Sequence, residues 1–336
     1  MTATPARLAP VIVVTRRIPE PALELLQGAG EVWCSPHDRP LSEQELHEAV
    51  AGADAVISLL HDTIDARVLD AAGSQLRVVA NVAVGYDNVD VDAATQRGVI
   101  VTNTPGVLTD STADLAMALI LIVTRRLGEG ERRIRSREPW AWHMFFMLGS
   151  SIAGKTLGVI GLGAIGQATA SRARAFGMNV VYAGRHQAPP ELERELGGAR
   201  QLELDELLET ADVVSIHCPL TTETRHLIDA QRLARMKPTA YLVNTARGPI
   251  VDEAALVTAL RNGEIAGAAL DVFEREPEVD PGLLELDNVV LVPHLGSATI
   301  ETRTAMAMLA ARNAIAVLRG EPPQTPVNDP ACARPR

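Results

Sequence analysis

The sequence predicts an α/β protein made of two doubly wound parallel-sheet domains, and three observations carry that reading. Short runs rich in Val, Ile, Leu and Ala alternate with helical stretches almost from end to end, the pattern of βαβ units. In the second half the runs are nearly continuous in apolar residues, as strands buried on both faces require. The 336 residues exceed one ordinary core and suit two domains of about 150 residues each.

The first set of strands is expected over 11–15, 31–35, 55–60, 77–82 and 99–103, with helical spacing at 20–28 and 42–51 between them. The second set is expected over 156–161, 179–183, 213–217, 240–244, 267–273 and 289–293, eleven strands in all. Two helices stand apart. One is expected over 110–127, opened by Thr109-Asp110-Ser111 as candidate caps. The other is expected over 298–318, stopping at Gly320 before a proline-bearing tail read as extended or mobile at its end.

Composition narrows the function classes. Hydrophobic residues at 47% and charged residues at 22% are globular values, while aromatic residues at 3% leave an aliphatic core. With 31 Lys and Arg against 42 Asp and Glu, the formal charge is −11, which opposes a general nucleic-acid surface. Cys34, Cys218 and Cys332 are scattered, with neither a disulfide framework nor metal-ligand spacing. The longest apolar run, 115–123, is about half a membrane span, and the N-terminus has no long apolar segment after its charge. A soluble cytoplasmic protein without membrane partners is the expectation.

Gly161-Leu162-Gly163-Ala164-Ile165-Gly166 follows the strand at 156–161 and opens a helix. In that context the spacing reads as a dinucleotide fingerprint: Gly161 for the tight turn, Gly163 for close approach of a pyrophosphate, and Gly166 for helix–strand packing. The N–H groups of Ala164 and Ile165 would face the anion. The next strand should end in an acid if the cofactor is NAD(H). It ends instead in Gly184-Arg185-His186, and an Arg there suits a 2′-phosphate. NADP(H) is therefore expected over NAD(H).

Ligands of open α/β sheets sit at the carboxyl ends of strands. Those ends carry Thr245-Ala246-Arg247, then Asp271 and Glu276, then His294-Leu295-Gly296. Singly, Arg247 could cap a strand, Glu276 could be one of several solvated acids and His294 a satisfied core histidine. Jointly they form a set suited to hydride chemistry beside a carboxylate. The Arg grips a carboxylate bidentately, the imidazole exchanges a proton with the carbonyl oxygen, and the acid stabilises the imidazolium.

Several ordered segments now carry a family resemblance: Asn81-Val82-Ala83-Val84-Gly85-Tyr86-Asp87-Asn88, Asn103 to Asp110, Gly161 to Gly166, Val243 to Asp252, Leu270 to Pro277 and Pro293 to Ala298. The chain resembles the D-isomer-specific 2-hydroxyacid dehydrogenases, and within them the glyoxylate/hydroxypyruvate reductases, from Val11 to about Asn328. The resemblance implies a Rossmann nucleotide domain, 104–294, inserted in a discontinuous flavodoxin-like substrate domain, 1–103 with 295–336. It places the catalytic Arg, Glu and His on Arg247, Glu276 and His294, and the substrate-carboxylate loop on the amides of Val84 and Gly85. Asp271 would contact the nicotinamide amide, with Thr109, Cys218, Pro219 and Gly296 lining the cofactor. Trp142 resembles a tryptophan that some such reductases lend to the neighbouring subunit, its alternative being an ordinary interface or core aromatic. Ala164 departs from the Arg frequent at that place.

The expected activity is reduction of a small 2-oxo acid, glyoxylate or hydroxypyruvate, to the D-2-hydroxy acid. A D-lactate-type or other D-2-hydroxyacid dehydrogenase is the alternative within the family, and a nicotinamide-nucleotide-sensing binding module the alternative outside it. Helix 110–127 carries more apolar surface than one neighbour covers, so a homodimer is expected.

Overall fold

The β-branched and aliphatic runs of the N-terminal region form one sheet in the structure, a computed structural model that describes residues 9–329. Strands β1 (Val11–Val14), β2 (Glu31–Cys34), β3 (Ala55–Ser58), β4 (Val78–Asn81) and β5 (Ile100–Thr102) pair in parallel, in the order β2-β1-β3-β4-β5. Helices α1 (Glu20–Gln27), α2 (Glu43–Val50), α3 (Ala66–Ala72) and α4 (Val91–Gln96) connect them. The starts of α2, α3 and α4 are set by side chains that take up unpaired helical N–H groups: Ser42 and Glu45 form a reciprocal capping box, and Asp65 and Asp90 each accept first-turn amides.

The same compact unit includes the residues up to Leu108 and those from Thr299 onward. The returning helix, Ile300–Leu318, starts at Thr299, whose hydroxyl accepts from the Thr302 amide at 3.1 Å. Its Ala307, Ala310, Ala311 and Ala314 join Ile12, Val14, Val78 and Ala80 in one core. Small side chains there let helix and sheet approach closely. The following segment is tied back as well: Asn328 accepts from the Val101 amide and donates to the Val99 carbonyl, both at 2.9 Å. Cys332 and the end of the tail lie outside the described residues.

The second compact unit spans Thr109–Ala298. Strands β6 (Thr156–Ile160), β7 (Asn179–Ala183), β8 (Arg200–Gln201), β9 (Val213–Ile216), β10 (Tyr241–Asn244), β11 (Gly267–Leu270) and β12 (Val289–Leu291) form a parallel sheet in the order β12-β11-β10-β9-β6-β7-β8. Alternate residues face opposite cores: Ile160, Val181, Val214 and Leu242 on one side, Val159, Val180, Val213 and Val243 on the other. Burial on both faces explains the unbroken apolar runs. The helices are α5 (Thr109–Thr124), α6 (Leu127–Arg135), α7 (Ala164–Ala175), α8 (Pro190–Glu195), α9 (Leu204–Thr210), α10 (Ala230–Leu233), α11 (Glu253–Asn262) and α12 (Pro281–Leu284). The returning helix of the first unit is α13.

Three expectations need correction. The two-residue β8 was not foreseen, because two residues carry no periodicity. The helix expected over 110–127 is two helices, α5 and α6. Arg126 adopts a left-handed φ of 54°, and the Ser150 amide donates to the Thr124 carbonyl at 2.7 Å, so the chain turns there. Asp110 accepts from Arg172 at 2.9 Å. The unit boundaries fall after Leu108 and Ala298, not after 103 and 294. Thr104 donates its amide to Ala83 at 2.8 Å, which holds the first crossing back, and the amides of Leu295 and Gly296 are held by Asp271, which delays the second.

Candidate active site

In the second unit the strand order reverses between β6 and β9, each starting a run in the opposite direction. At such a switch point the connections diverge and leave room for a ligand at the carboxyl ends of the strands. Gly161 stands there with φ of 94°. A Cβ on it would lie 2.7 Å from the Cys218 amide nitrogen and 2.9 Å from the His217 carbonyl carbon. A Cβ on Gly166 would lie 2.2 Å from the Gly161 carbonyl oxygen, so the first turn of α7 packs directly on the loop. Gly163 differs: nothing lies within 4 Å of its Cβ position.

Gly163 is also the N-cap of α7 and supplies no side-chain cap. The first-turn N–H groups, those of Ala164 and Ile165 among them, have no helical acceptor and face the open position with the positive end of the helix dipole. Nearby in sequence to Arg247, the Thr245 hydroxyl is buried without a hydrogen-bond partner among the described residues. An uncapped helix start, an open glycine and an orphaned hydroxyl fit a dinucleotide. Arg185 and His186 follow β7 and are exposed. Arg185 also adds to the pull of the Thr221 hydroxyl that holds the Glu223 carboxyl below its ordinary range. Thr109 opens α5.

Cys218 and Pro219 follow β9. Burial pushes the Cys218 thiol up to about 11, which leaves it protonated and unreactive at neutral pH. Burial also pushes the neighbouring His217 down to about 4, and its Nε2 lies 2.8 Å from the Ser215 hydroxyl.

Arg247, Glu276 and His294 follow the neighbouring strands β10, β11 and β12, and the acid meets the imidazole. His294 Nδ1 lies 2.8 Å from Glu276 Oε2. An ionised carboxylate can only accept, so the Nδ1–H donates. The other carboxylate oxygen, Oε1, accepts from the Phe273 amide at 3.1 Å, which holds the acid in place. His294 itself has φ of 52°, costly for a residue with a Cβ. Its amide donates to the Asp271 carbonyl at 2.8 Å. The Asp271 carboxylate then accepts from Leu295 at 2.5 Å and Gly296 at 2.8 Å. Asp271 is thus the clamp on the histidine turn, and burial pushes its carboxyl up despite those two amides. The sequence assigned it to the cofactor alone, since two amides brought round by a turn leave no mark in a linear pattern.

Arg247 is placed by the strand end as well. Asn244 donates to the Arg247 carbonyl at 2.9 Å and accepts from the Ala246 amide at 3.0 Å. Gly248 then allows the turn to press on the loop that carries Glu276: a Cβ there would lie 1.9 Å from the Phe273 carbonyl. A second acid–imidazole pair, missed in the sequence, braces that loop from its far side. His226 Nε2 lies 2.7 Å from Glu274 Oε1, and the Glu274 amide donates to the Glu253 carboxylate. Burial raises the Glu253 carboxyl.

In the first unit, Val84 and Gly85 lie in the half-buried loop after β4. Their amides have no protein acceptor among the described residues. Trp142 is 75% exposed, in a segment where Trp140 stacks on Phe146 with ring centres 6.1 Å apart. Among the described residues no group of His, Cys, Asp and Glu could hold a metal ion, and no helix is long and apolar enough to cross a membrane.

The sequence pattern of the D-isomer specific 2-hydroxyacid dehydrogenase, NAD binding domain, matches residues 117–296. The chain belongs to the D-isomer specific 2-hydroxyacid dehydrogenases. This dehydrogenase is 50% identical over 326 residues to a glyoxylate reductase of Thermococcus onnurineus, covering 96% of either chain. It is similar to the solved glyoxylate reductase from Paecilomyes thermophila, 35% identical with a TM-score of 0.85, over 96% of this chain and 99% of that one. It is also similar to an NADPH-dependent glyoxylate/hydroxypyruvate reductase of Sinorhizobium meliloti solved with NADP and malonate. That protein is 36% identical with a TM-score of 0.82, over 97% of this chain and 99% of the other. The dehydrogenase therefore uses a nicotinamide nucleotide, and its α/β fold is that of its relatives.

Proposed function

We propose that this dehydrogenase reduces glyoxylate or hydroxypyruvate to the D-2-hydroxy acid, with NADPH as the favoured donor. The observation that carries the reading is the 2.8 Å contact between Glu276 and His294 Nδ1, in a chain whose relatives at about half identity are glyoxylate reductases. The bound nucleotide supplies hydride. His294 Nε2 hands a proton to the substrate's carbonyl oxygen, Glu276 stabilises the imidazolium before that transfer, and Arg247 pairs with the 2-oxo acid through its fork of donors. In the first unit, the amides of Val84 and Gly85 serve the carboxylate. Asp271 and Gly296 hold the histidine turn on the nicotinamide side, and Ala164, Ile165, Thr245 and Ala246 attend the nucleotide with Thr109, Cys218 and Pro219.

Arg185 at the end of β7, where no acid stands, supports NADPH over NADH. The exposed apolar stretch that includes Ile134, Trp140, Trp142, Met144 and Phe145 supports a homodimer, since so many large apolar groups in one segment favour burial against a second copy. Free thiols at Cys34 and Cys218 accord with a cytoplasmic setting. The test is loss of absorbance at 340 nm with purified protein, either nucleotide, and glyoxylate or hydroxypyruvate. Oxidation of NADPH in preference to NADH is expected, and Arg185→Ala should erase the preference. No oxidation with any small 2-oxo acid would sink the proposal.

A further inference from the structure

The loop after β4 is held from one side by a run of donors. The Ala83 carbonyl accepts from the Thr104 amide at 2.8 Å. The Val84 carbonyl accepts from Asn103 Nδ2, also at 2.8 Å, and the Gly85 carbonyl accepts from Asn81 Nδ2 at 3.0 Å. In a planar trans peptide the N–H points opposite to the C=O of the same unit. Fixing carbonyls 83, 84 and 85 therefore fixes where the N–H groups of Val84, Gly85 and Tyr86 point, away from the asparagines. None of these three amides has a protein acceptor among the described residues. Successive backbone N–H groups arranged in this way make an anion cradle.

The donors are themselves locked. Asn81 is fully buried, and its Oδ1 accepts from the Ser58 hydroxyl at 3.1 Å while its Nδ2 also reaches Asn88 Oδ1 at 3.1 Å. Asn88 Nδ2 donates onward to the carbonyls of Leu59 and Asp62, at 3.1 and 3.0 Å. The Asp62 carboxylate accepts from the Leu59 amide at 2.7 Å and the Thr15 hydroxyl at 2.5 Å. This polar network crosses from the end of β1 through β3 to β4, and Asn103 is held separately, its amide donating to the Thr325 carbonyl at 3.3 Å and its carbonyl accepting from the Thr325 hydroxyl at 2.6 Å, so the cradle rests on the ends of the sheet.

We infer that Asn81 and Asn103 are positioning residues which aim three successive amides, those of Val84, Gly85 and Tyr86, at the carboxylate of the 2-oxo acid. The inference rests on the proposed role of the loop in holding that carboxylate. It extends the cradle by one donor, Tyr86, and assigns its specificity for an anion to two neutral side chains that never touch the substrate. Preorganisation is the reason: donors already turned outward need no reorganisation when the carboxylate arrives.

The test uses the full-length protein with Asn103→Ala and the isosteric Asn103→Asp, which keeps the shape but presents an acceptor to the Val84 carbonyl. For both, the KM for glyoxylate should rise about tenfold or more, while kcat at saturation and the affinity for NADPH stay within about twofold. A merely structural defect would lower kcat and nucleotide affinity along with it. An unchanged KM in both folded variants overturns the inference. Titrating oxalate into 15N-labelled protein separates this failure from failure of the loop itself. In the wild type the amide signals of residues 84, 85 and 86 should all shift, at about tenfold lower oxalate than in Asn103→Ala. Absence of any shift in the wild type would mean that the loop does not hold the carboxylate at all. Shifts at equal oxalate in both proteins would retain the loop and refute the asparagines' role, and a silent Tyr86 would remove the third donor.

Discussion

His294 concentrates several constraints in one residue: a left-handed backbone, a carboxylate partner at 2.8 Å and a turn clamped by Asp271. The clamp offsets the backbone cost, and the contact with Glu276 orients the ring. His294→Ala should lower kcat by about 10²–10⁴, the usual worth of a positioned general acid, while nucleotide affinity measured by fluorescence titration persists. Glu276→Gln should keep the ring in place but replace its carboxylate partner with a neutral amide, so kcat should fall by about tenfold or more. An unchanged kcat would count against the pair. Asp271 teaches a different lesson. Its residue type and place at a strand end were legible, and its bonds to two amides beyond His294 were not, because they depend on a turn that only the fold creates.

At the scale of the element, the three glycines of the nucleotide loop divide by what surrounds them. Gly163 has a φ of −76° and an empty Cβ position, so Gly163→Ala should leave the melting temperature almost unchanged and weaken nucleotide binding. Gly166→Ala would meet the Gly161 carbonyl oxygen at 2.2 Å. It should cost about 1–3 kcal/mol of stability through overpacking, read from denaturant midpoints. Equal effects at both positions would contradict this division of roles. The spacing of these glycines is local, which is why sequence alone placed them. The break between α5 and α6 was not legible for the opposite reason. Arg125-Arg126 is as compatible with helix as its neighbours, and the amide that takes the Thr124 carbonyl arrives from Ser150.

For the molecule as a whole, stability and assembly follow from groups that the chemistry leaves aside. Desolvation pushes the half-buried His217 down to about 4 in the folded state, against about 6.5 when unfolded. As the pH falls from about 6.5 to 4, the unfolded chain takes up the proton that the folded chain refuses. Stability from this group is therefore full above about 6.5, declines through that window and levels below it. Urea midpoints at several pH values should show His217→Gln lacking that decline, by a difference on the order of 2 kcal/mol between the ends of the window. Assembly has its own test. Replacing Trp142 and Phe145, 75% and 81% exposed, with Ser should turn a sedimenting dimer into a monomer, whereas a wild-type monomer at micromolar concentration would remove the dimer.

The order of apolar runs and the glycine spacing determined, without coordinates, that this chain forms doubly wound sheets and carries a nucleotide loop. The places of Arg247, Glu276 and His294 in the segments after β10, β11 and β12 were readable for the same reason: strand ends are marked by where apolar runs stop. Tertiary structure decided what the polar residues around them do. Asn81, Asn88 and Asn103 sit in segments whose importance was visible, yet their amide partners are carbonyls fixed by the path of other loops. A hydrogen bond needs its two atoms within about 3 Å and in line, a condition on space that no spacing along the chain expresses.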